Sequence, residues 1–161
     1  METRLSFDES SWERALDLSE RDISSYSPLQ LAYLGDAVYE IAVRMMVLNH
    51  DRSQVNLLHK HASGLVKASS QAALYLAVEE ILTEEEKAVY RRGRNTHSYT
   101  MPKHATMKDY RMATGFESLV GYLFLLSREK RLLEILAFGF RKTGEIKNEQ
   151  GLRKDDDGRD E

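Results

Sequence analysis

Two acidic residues stand where acids are costly. Asp36 lies in the most apolar stretch of the chain, LQLAYLGDAVYEIAVRMMVL, with Leu31, Leu34, Ala37, Val38 and Ile41 around it. Glu117 lies in a second such stretch, GFESLVGYLFLL. Taking an unpaired carboxylate out of water is strongly unfavourable, so an acid in such a run needs a partner. One acid from each of two separated apolar helices suits a hard cation. Mg²⁺ is commonly held by one or two protein carboxylates, with waters and substrate phosphates completing its shell. The competing reading is structural: each acid lies on an exposed stripe or pairs with an arginine, Arg44 or Arg111 being placed for it. Glu40 follows Asp36 by four residues and projects from the same helix face. It is either a third acid at or just outside a metal site, or the partner of Arg44 in an i,i+4 salt bridge.

Other catalytic equipment is sparse. The chain has 161 residues and no cysteine, which excludes a disulfide framework, a thiolate nucleophile and cysteine-ligated zinc or iron–sulfur sites. The five histidines form no ligand motif; His59 and His61, two apart, face different ways on a helix. Gly93, in RRGRN, lacks the glycine spacing and GK[ST] ending of a phosphate loop. Carboxylates with a basic segment and little else suit metal-assisted phosphodiester hydrolysis, with water as nucleophile.

The elements that must position these residues read as helices throughout, an all-α fold. Residues 1–25 are polar, with Trp12, Ala15 and Leu16 spaced for a short docked helix. Ser27 and Pro28 form a helix start, cap followed by first-turn proline, and a buried helix is predicted from Pro28 to about Leu48. Ser53 is read as opening a second helix, with Val55, Leu58, Ala62 and Leu65 on one face, and Ser69 or Ser70 as starting a third. Thr83-Glu84-Glu85-Glu86 is a capping-box signature for a fourth, to about Arg92. Residues 93–107 carry Gly93 and Pro102 without periodicity and read as a long loop, of the kind that is functional or disordered. A helix from about Lys108 to Leu126 and a last one capped by Ser127 complete the body. Residues 141–161 end in DDDGRDE and read as a polar, disordered tail.

The formal charge of −3, from 23 basic and 26 acidic residues, is unevenly spread. Residues 1–25 form an acidic extension of net −4, with three basic and seven acidic groups. Residues 87–111 carry seven basic groups (Lys87, Arg91, Arg92, Arg94, Lys103, Lys108, Arg111) and only Asp109 as an acid. Such a patch can bind a polyanion whatever the net charge. Arg91, Arg92, Arg94, Asn95, Lys103, His104 and Lys108 are the candidate contacts to such a polyanion, together with Lys67 and Ser70 of KASSQA. For Arg91 and Arg92 the alternative is a solvated helix end, where cations are favourable anyway; for Lys67 and Ser70 it is a plain helix junction. No apolar run approaches the roughly 18–20 residues of a membrane span, and no signal peptide is apparent. A soluble cytoplasmic domain is expected.

LAYLGDAVYE resembles the signature helix of the ribonuclease III family, and FESLVGYLF resembles its second acidic segment. LAYLGDAVYEIAVR, KASSQA, TEEEKAVYRRGRN and the Tyr110-Arg111/Phe116-Glu117 helix appear in order over about residues 26–140. That combination most resembles the compact Mini-ribonuclease III branch, which has the nuclease domain alone. The resemblance implies a helical, homodimeric nuclease domain at 26–140 that cleaves double-stranded RNA with Mg²⁺. It places the catalytic, metal-holding carboxylates at Asp36 and Glu117 and an aromatic of the dimer interface at Tyr33. It further suggests trimming of the stems that enclose precursor 23S ribosomal RNA, with a large-subunit ribosomal protein as a candidate helper. Two carboxylates usual in full-length ribonuclease III are replaced, by Ala32 and Thr114, which suits the compact branch but leaves a minimal metal shell. The same losses would suit a non-catalytic duplex-RNA-binding or ribosome-associated protein on this fold; retention of both Asp36 and Glu117 speaks against it. Only 21 residues follow residue 140. An independent domain needs about 50, so RNA affinity is expected to come from the nuclease domain itself.

Overall fold

The structure, a computed structural model, describes residues 9–96 and 105–147, and among these every regular element is helical. Seven α-helices run in order: α1 (Glu9–Ala15), α2 (Pro28–His50), α3 (Val55–Val66), α4 (Ala68–Val78), α5 (Glu84–Arg94), α6 (Met107–Leu125) and α7 (Glu129–Lys142). Short 3₁₀ turns at Ile23–Ser25 and Glu79–Ile81 lead into α2 and out of α4.

The helix starts are written in the sequence. Ser27 accepts from the Gln30 amide while the Gln30 side chain accepts from the Ser27 amide, a closed capping box with Pro28 in the first turn. Thr83 and Glu86 make the same reciprocal pair ahead of α5. Thr106 caps α6 through the Asp109 amide. Ser53 and Ser127 do not cap. The turn at Ser53 is closed by the Asp51 carboxylate, which accepts from the Ser53 amide at 2.9 Å, and α3 begins only at Val55. Ser127 has φ +57°, a left-handed link that reverses the chain between α6 and α7.

Helix α6 is the axis of the fold. It packs against α2, α4, α5 and α7, and nine consecutive residues from Met112 to Val120 are buried except for Glu117, which is half-buried. Around it Tyr39 meets Phe116 edge-on at 5.6 Å and donates its hydroxyl to the Leu65 carbonyl, tying α2 to α3. Arg131 of α7 reaches Glu86 at 2.8 Å and the Ile81 carbonyl at 2.6 Å, fastening the start of α5 to the last helix.

The α2–α6 crossing leaves no room for side chains at its centre. A methyl group added at Gly35 would lie 1.8 Å from the Glu117 carbonyl oxygen, and one at Gly121 would lie 2.0 Å from that of Leu31. The two backbones therefore touch.

Several expectations are corrected. Helix α2 is buried along one side only: Leu31, Ala32, Gly35, Tyr39, Val43 and Val47 face the core, while Tyr33, Ile41, Met45 and Leu48 are exposed. Helix α1 forms, but Trp12 and Leu16 remain at least half exposed rather than sunk into the core. Gly93 is the buried inner face of α5, packed on Ser118 and Gly115, and the helix continues to Arg94. At the other end α7 continues to Lys142 and Ile146 packs on the core, so structure persists past residue 140. Residues 148–161, most of the expected tail, lie outside the described residues.

Overlap with backbone cannot be relieved by a rotamer change. Gly35→Ala and Gly121→Ala are each expected to destabilise at or above the upper end of the about 1–3 kcal/mol typical of overpacking. Gly64→Ala, with nothing within 4 Å of the added methyl, is expected to be neutral or stabilising by up to about 1 kcal/mol. Denaturant unfolding of the three variants checks both.

Candidate active site

Asp36 follows the glycine that touches the Glu117 backbone, so the crossing sets the two acids side by side from different helices. Their carboxyl groups lie within hydrogen-bonding reach of each other. Burial, opposed by a hydrogen bond from Gln71 and reinforced by the Asp36 charge, raises Glu117 from its ordinary 4.5 to about 7. Asp36 is exposed to solvent along much of its surface. Partial desolvation of its carboxyl, then the charge of Glu40, still raises it, with the hydrogen bond from Glu117 opposing. In the metal-free pair the shared proton therefore resides on Glu117.

No cation among the described residues is paired with either acid. Among the described residues neither acid forms an ion pair with Arg44 or Arg111, the partners of the structural reading. Arg44 is engaged by Glu40 at 2.6 Å in the i,i+4 bridge. Two adjacent carboxyls, one half-buried and one largely exposed, with no cation paired to them among the described residues, have the chemistry that a hard cation takes. No group of three or more metal-ligating acids, histidines or cysteines occurs among the described residues. A cation held here would have few protein ligands, and waters and substrate oxygens would complete its shell. Ala32 and Thr114 are buried, and Thr114 gives its hydroxyl to the Tyr110 carbonyl, so neither supplies another ligand.

Gln71 is the participant that sequence reasoning passed over. It is 2% exposed, and its Nε2 donates to Glu117 Oε1 at 2.9 Å and to the Val66 carbonyl at 2.8 Å. Its Oε1 is buried with no hydrogen-bond partner among the described residues. An orphaned acceptor beside an acid pair fits a site that takes up a hydrated cation. The only signal in the sequence was KASSQA, where Lys67 and Ser70 drew attention. Lys67 is the exposed residue shared by the ends of α3 and α4, and the Ser70 hydroxyl donates to the Gly64 carbonyl at 2.5 Å, the role of a helix junction.

Of the candidate RNA contacts, Arg91, Arg92 and Asn95 are exposed at the C-terminal end of α5, and Lys108 is exposed in the first turn of α6. Arg94 is half-buried, its guanidinium 5.7 Å from the Tyr90 ring centre and its Nε donating to Asn95. Lys103 and His104 lie outside the described residues. Tyr33 is 86% exposed. A cleft of about 490 Å³ between the Ile23–Ser25 turn, α2, α5 and α6, lined by Tyr26, Leu31, Arg92 and Tyr122, contains neither acid.

An all-helical body presenting an acid pair at a helix crossing defines a helical nuclease, and comparison with known proteins gives its family. Residues 29–128 match the ribonuclease III domain. The chain is 46% identical over 121 residues to Mini-ribonuclease 3 of Clostridium tetani, covering 74% of this chain and 80% of the relative. It is 45% identical over 127 residues to that of Enterococcus faecalis, covering 78% and 96%. It is 49% identical over 109 residues to that of Symbiobacterium thermophilum, covering 68% and 84%. A crystal structure of a Fusobacterium nucleatum protein superposes with a TM-score of 0.69 at 31% identity, covering 79% of this chain and all of that one. The chain belongs to the ribonuclease III family, in its Mini-ribonuclease 3 branch. It is an endoribonuclease of a family that acts on double-stranded RNA and generally depends on divalent cations, which displaces the non-catalytic reading. No helix among the described residues is long and apolar enough to cross a membrane.

The raised Glu117 has a measurable consequence. The folded, metal-free protein holds a proton that the unfolded chain releases above about 4.5. Its contribution to stability is complete below that value and is lost as pH rises through about 7. In EDTA, the melting temperature is expected to fall between pH 5 and pH 8, and added Mg²⁺ should restore it at pH 8. Glu117→Gln should flatten the metal-free slope. Calorimetry on both proteins across this range checks the sign; a metal-free wild type that gains stability from pH 5 to 8 relative to Glu117→Gln contradicts it.

Proposed function

We propose that this protein is a Mg²⁺-dependent, cytoplasmic endoribonuclease that matures the ends of precursor 23S ribosomal RNA. Its nuclease domain would be residues 26–140, completed by the end of α7 at Lys142 and by Ile146, with 1–25 an acidic extension and the rest of 141–161 a polar tail. Asp36 and Glu117 are its catalytic and metal-holding residues. The observation that carries this reading is the close α2–α6 crossing at Gly35 and Glu117, which sets the two carboxyls side by side with no cation paired to either among the described residues. When bound there, Mg²⁺ supplies positive charge that activates an attacking water and offsets charge on the scissile phosphate. Glu117, half-buried, is the fixed side of the site; Asp36, more exposed, is the side open to substrate. Glu40, held by Arg44, adds negative potential just outside the pair rather than a ligand.

Arg91, Arg92, Arg94, Asn95, Lys103, His104 and Lys108 contact phosphates and riboses, with Lys67 on the α3–α4 side; Ser70, whose hydroxyl donates to the Gly64 carbonyl, could join them only as an acceptor. A-form RNA offers its 2′-hydroxyls across a wide minor groove, so recognition is by shape, with modest sequence preference. Two copies assemble through α2, where Tyr33 and Ala37, Ile41 and Met45 recur every four residues on the exposed side. A two-fold dimer supplies one site per strand of the duplex. A large-subunit ribosomal protein that shapes the precursor is a compatible helper.

Asp36→Asn is expected to lower cleavage of a perfect RNA duplex in Mg²⁺ by at least about 100-fold, with circular dichroism unchanged. Near-normal turnover by this variant would overturn the site assignment. Arg91→Glu with Arg92→Glu should weaken duplex binding and make the log–log dependence on salt shallower, by about one unit of slope for each phosphate no longer neutralised. Filter binding across a salt series measures it, and an unchanged slope would remove these arginines from the interface.

A further inference from the structure

The α3–α4 junction carries a device that the two acids do not need merely to be close. Lys67 ends α3 and begins α4, with φ −65° and ψ 155°, and the first turn of α4 folds back on the last turn of α3. Ser70 holds it to the Gly64 carbonyl, and Gln71 holds it to the Val66 carbonyl. Both carbonyls belong to the helix end that has no intrahelical donor to receive.

This anchoring fixes the chemistry of the Gln71 amide. A carbonyl only accepts, so the group 2.8 Å from the Val66 oxygen must be the amide nitrogen. That nitrogen has two hydrogens, and the second points to Glu117 Oε1 at 2.9 Å. The amide oxygen is then left without a partner among the described residues. A residue serving packing alone would be apolar here and would leave no buried acceptor unsatisfied. Few side chains could replace it. Glutamate has no hydrogen to donate, asparagine is one methylene short, and leucine or methionine fills the space without bonding.

We propose that Gln71 is a positioning residue of the nuclease site. It bridges the end of α3 to Glu117, holds that carboxylate in its metal-binding rotamer, and offers its free amide oxygen to a donor of the loaded site. The proposal rests on the reading of Asp36 and Glu117 as metal ligands. It adds to that reading a second helix pair, α3–α4, as the element that sets cation affinity. Glu117 is otherwise a flexible side chain with three rotatable bonds; Gln71 removes that freedom before the cation arrives. Partners that orient metal ligands in this way are typically worth about 10–100-fold in metal affinity or activity.

The test uses the full chain without RNA first. Mn²⁺ binding, read by electron paramagnetic resonance of the free ion, should weaken about 10–100-fold in Gln71→Met. In duplex-RNA cleavage the half-saturating Mg²⁺ concentration should rise by a similar factor. The loss at low Mg²⁺ should be recovered by adding more, and KM for RNA should stay the same. A role confined to the helix junction would lower the melting temperature and the active fraction without moving the half-saturating Mg²⁺. In the unsubstituted protein the Gln71 side-chain amide signals should be protected from solvent exchange and should shift on Mg²⁺ addition, a readout independent of whether any variant folds. A folded Gln71→Met with wild-type Mn²⁺ affinity and Mg²⁺ requirement would overturn the proposal, as would amide signals indifferent to Mg²⁺. Asp36→Asn separates the two levels. If it loses Mn²⁺ binding while Gln71→Met keeps it, the role of Gln71 alone fails. If Asp36→Asn binds Mn²⁺ as wild type does, the acid-pair reading fails and the proposal with it.

Discussion

Everything the site does depends on two helices touching backbone to backbone. Helices separated by ordinary side chains pack with axes about 8–10 Å apart. Gly35 and Gly121 remove the side chains that would hold α2 and α6 apart, and the atom nearest to Gly35 is the carbonyl oxygen of Glu117 itself. The aspartate next to that glycine therefore has no choice of neighbour. In LGDA the glycine sets the distance and the aspartate uses it. The junction is braced one residue further on, where the buried Ser118 hydroxyl lies 2.9 Å from the Pro28 carbonyl at the start of α2. Wider packing would leave two short acids that could not share a proton or a cation.

The same protein shows how it treats a buried acid that has no chemistry to do. Glu86, too, is withdrawn from solvent, 3% exposed. Burial alone would raise it, but the Arg131 guanidinium and the Thr83 amide hold it below its ordinary value. Its charge is matched at 2.8 Å, and its other work is to cap α5. Glu117 receives one neutral donor, Gln71, and a second acid, and is raised to about 7. The difference lies in the supply of positive charge, which is present at Glu86 and, among the described residues, not at Glu117. An ion pair such as Glu40–Arg44, one turn beyond Asp36, shows that an arginine was within reach of this face of α2 and is bound elsewhere.

Local signals in the sequence carried the helix starts at Ser27 and Thr83, because capping is decided within four residues. They also carried Asp36 and Glu117, because a charge in an apolar run is conspicuous wherever it folds. What escaped was set by tertiary packing. Gly93 reads as a breaker until Gly115 and Ser118 are laid against it, and then its missing side chain is a requirement. Gln71 reads as one polar residue among several; its burial depends on α6, forty-six residues away. Asp36 reads as buried because its neighbours in sequence are apolar, yet Ala37 and Ile41 among them face outward on α2. Ser127 reads as a cap by residue type, whereas the chain uses it as a left-handed turn.

The unequal exposure of the two acids follows from the size of the substrate class. A small metabolite can be enclosed, and the cleft of about 490 Å³ could enclose one, but it contains neither acid. A duplex cannot enter a cleft, so a site that cuts it must lie where a phosphate can approach from outside. A fully exposed carboxylate pair would be screened by water and hold a cation poorly, while a fully buried pair could not be reached. Anchoring Glu117 from behind through Gln71 and leaving Asp36 toward solvent meets both demands with the fewest ligands. With so few protein ligands, a cation held there would depend on the substrate's own phosphate oxygens to complete its shell.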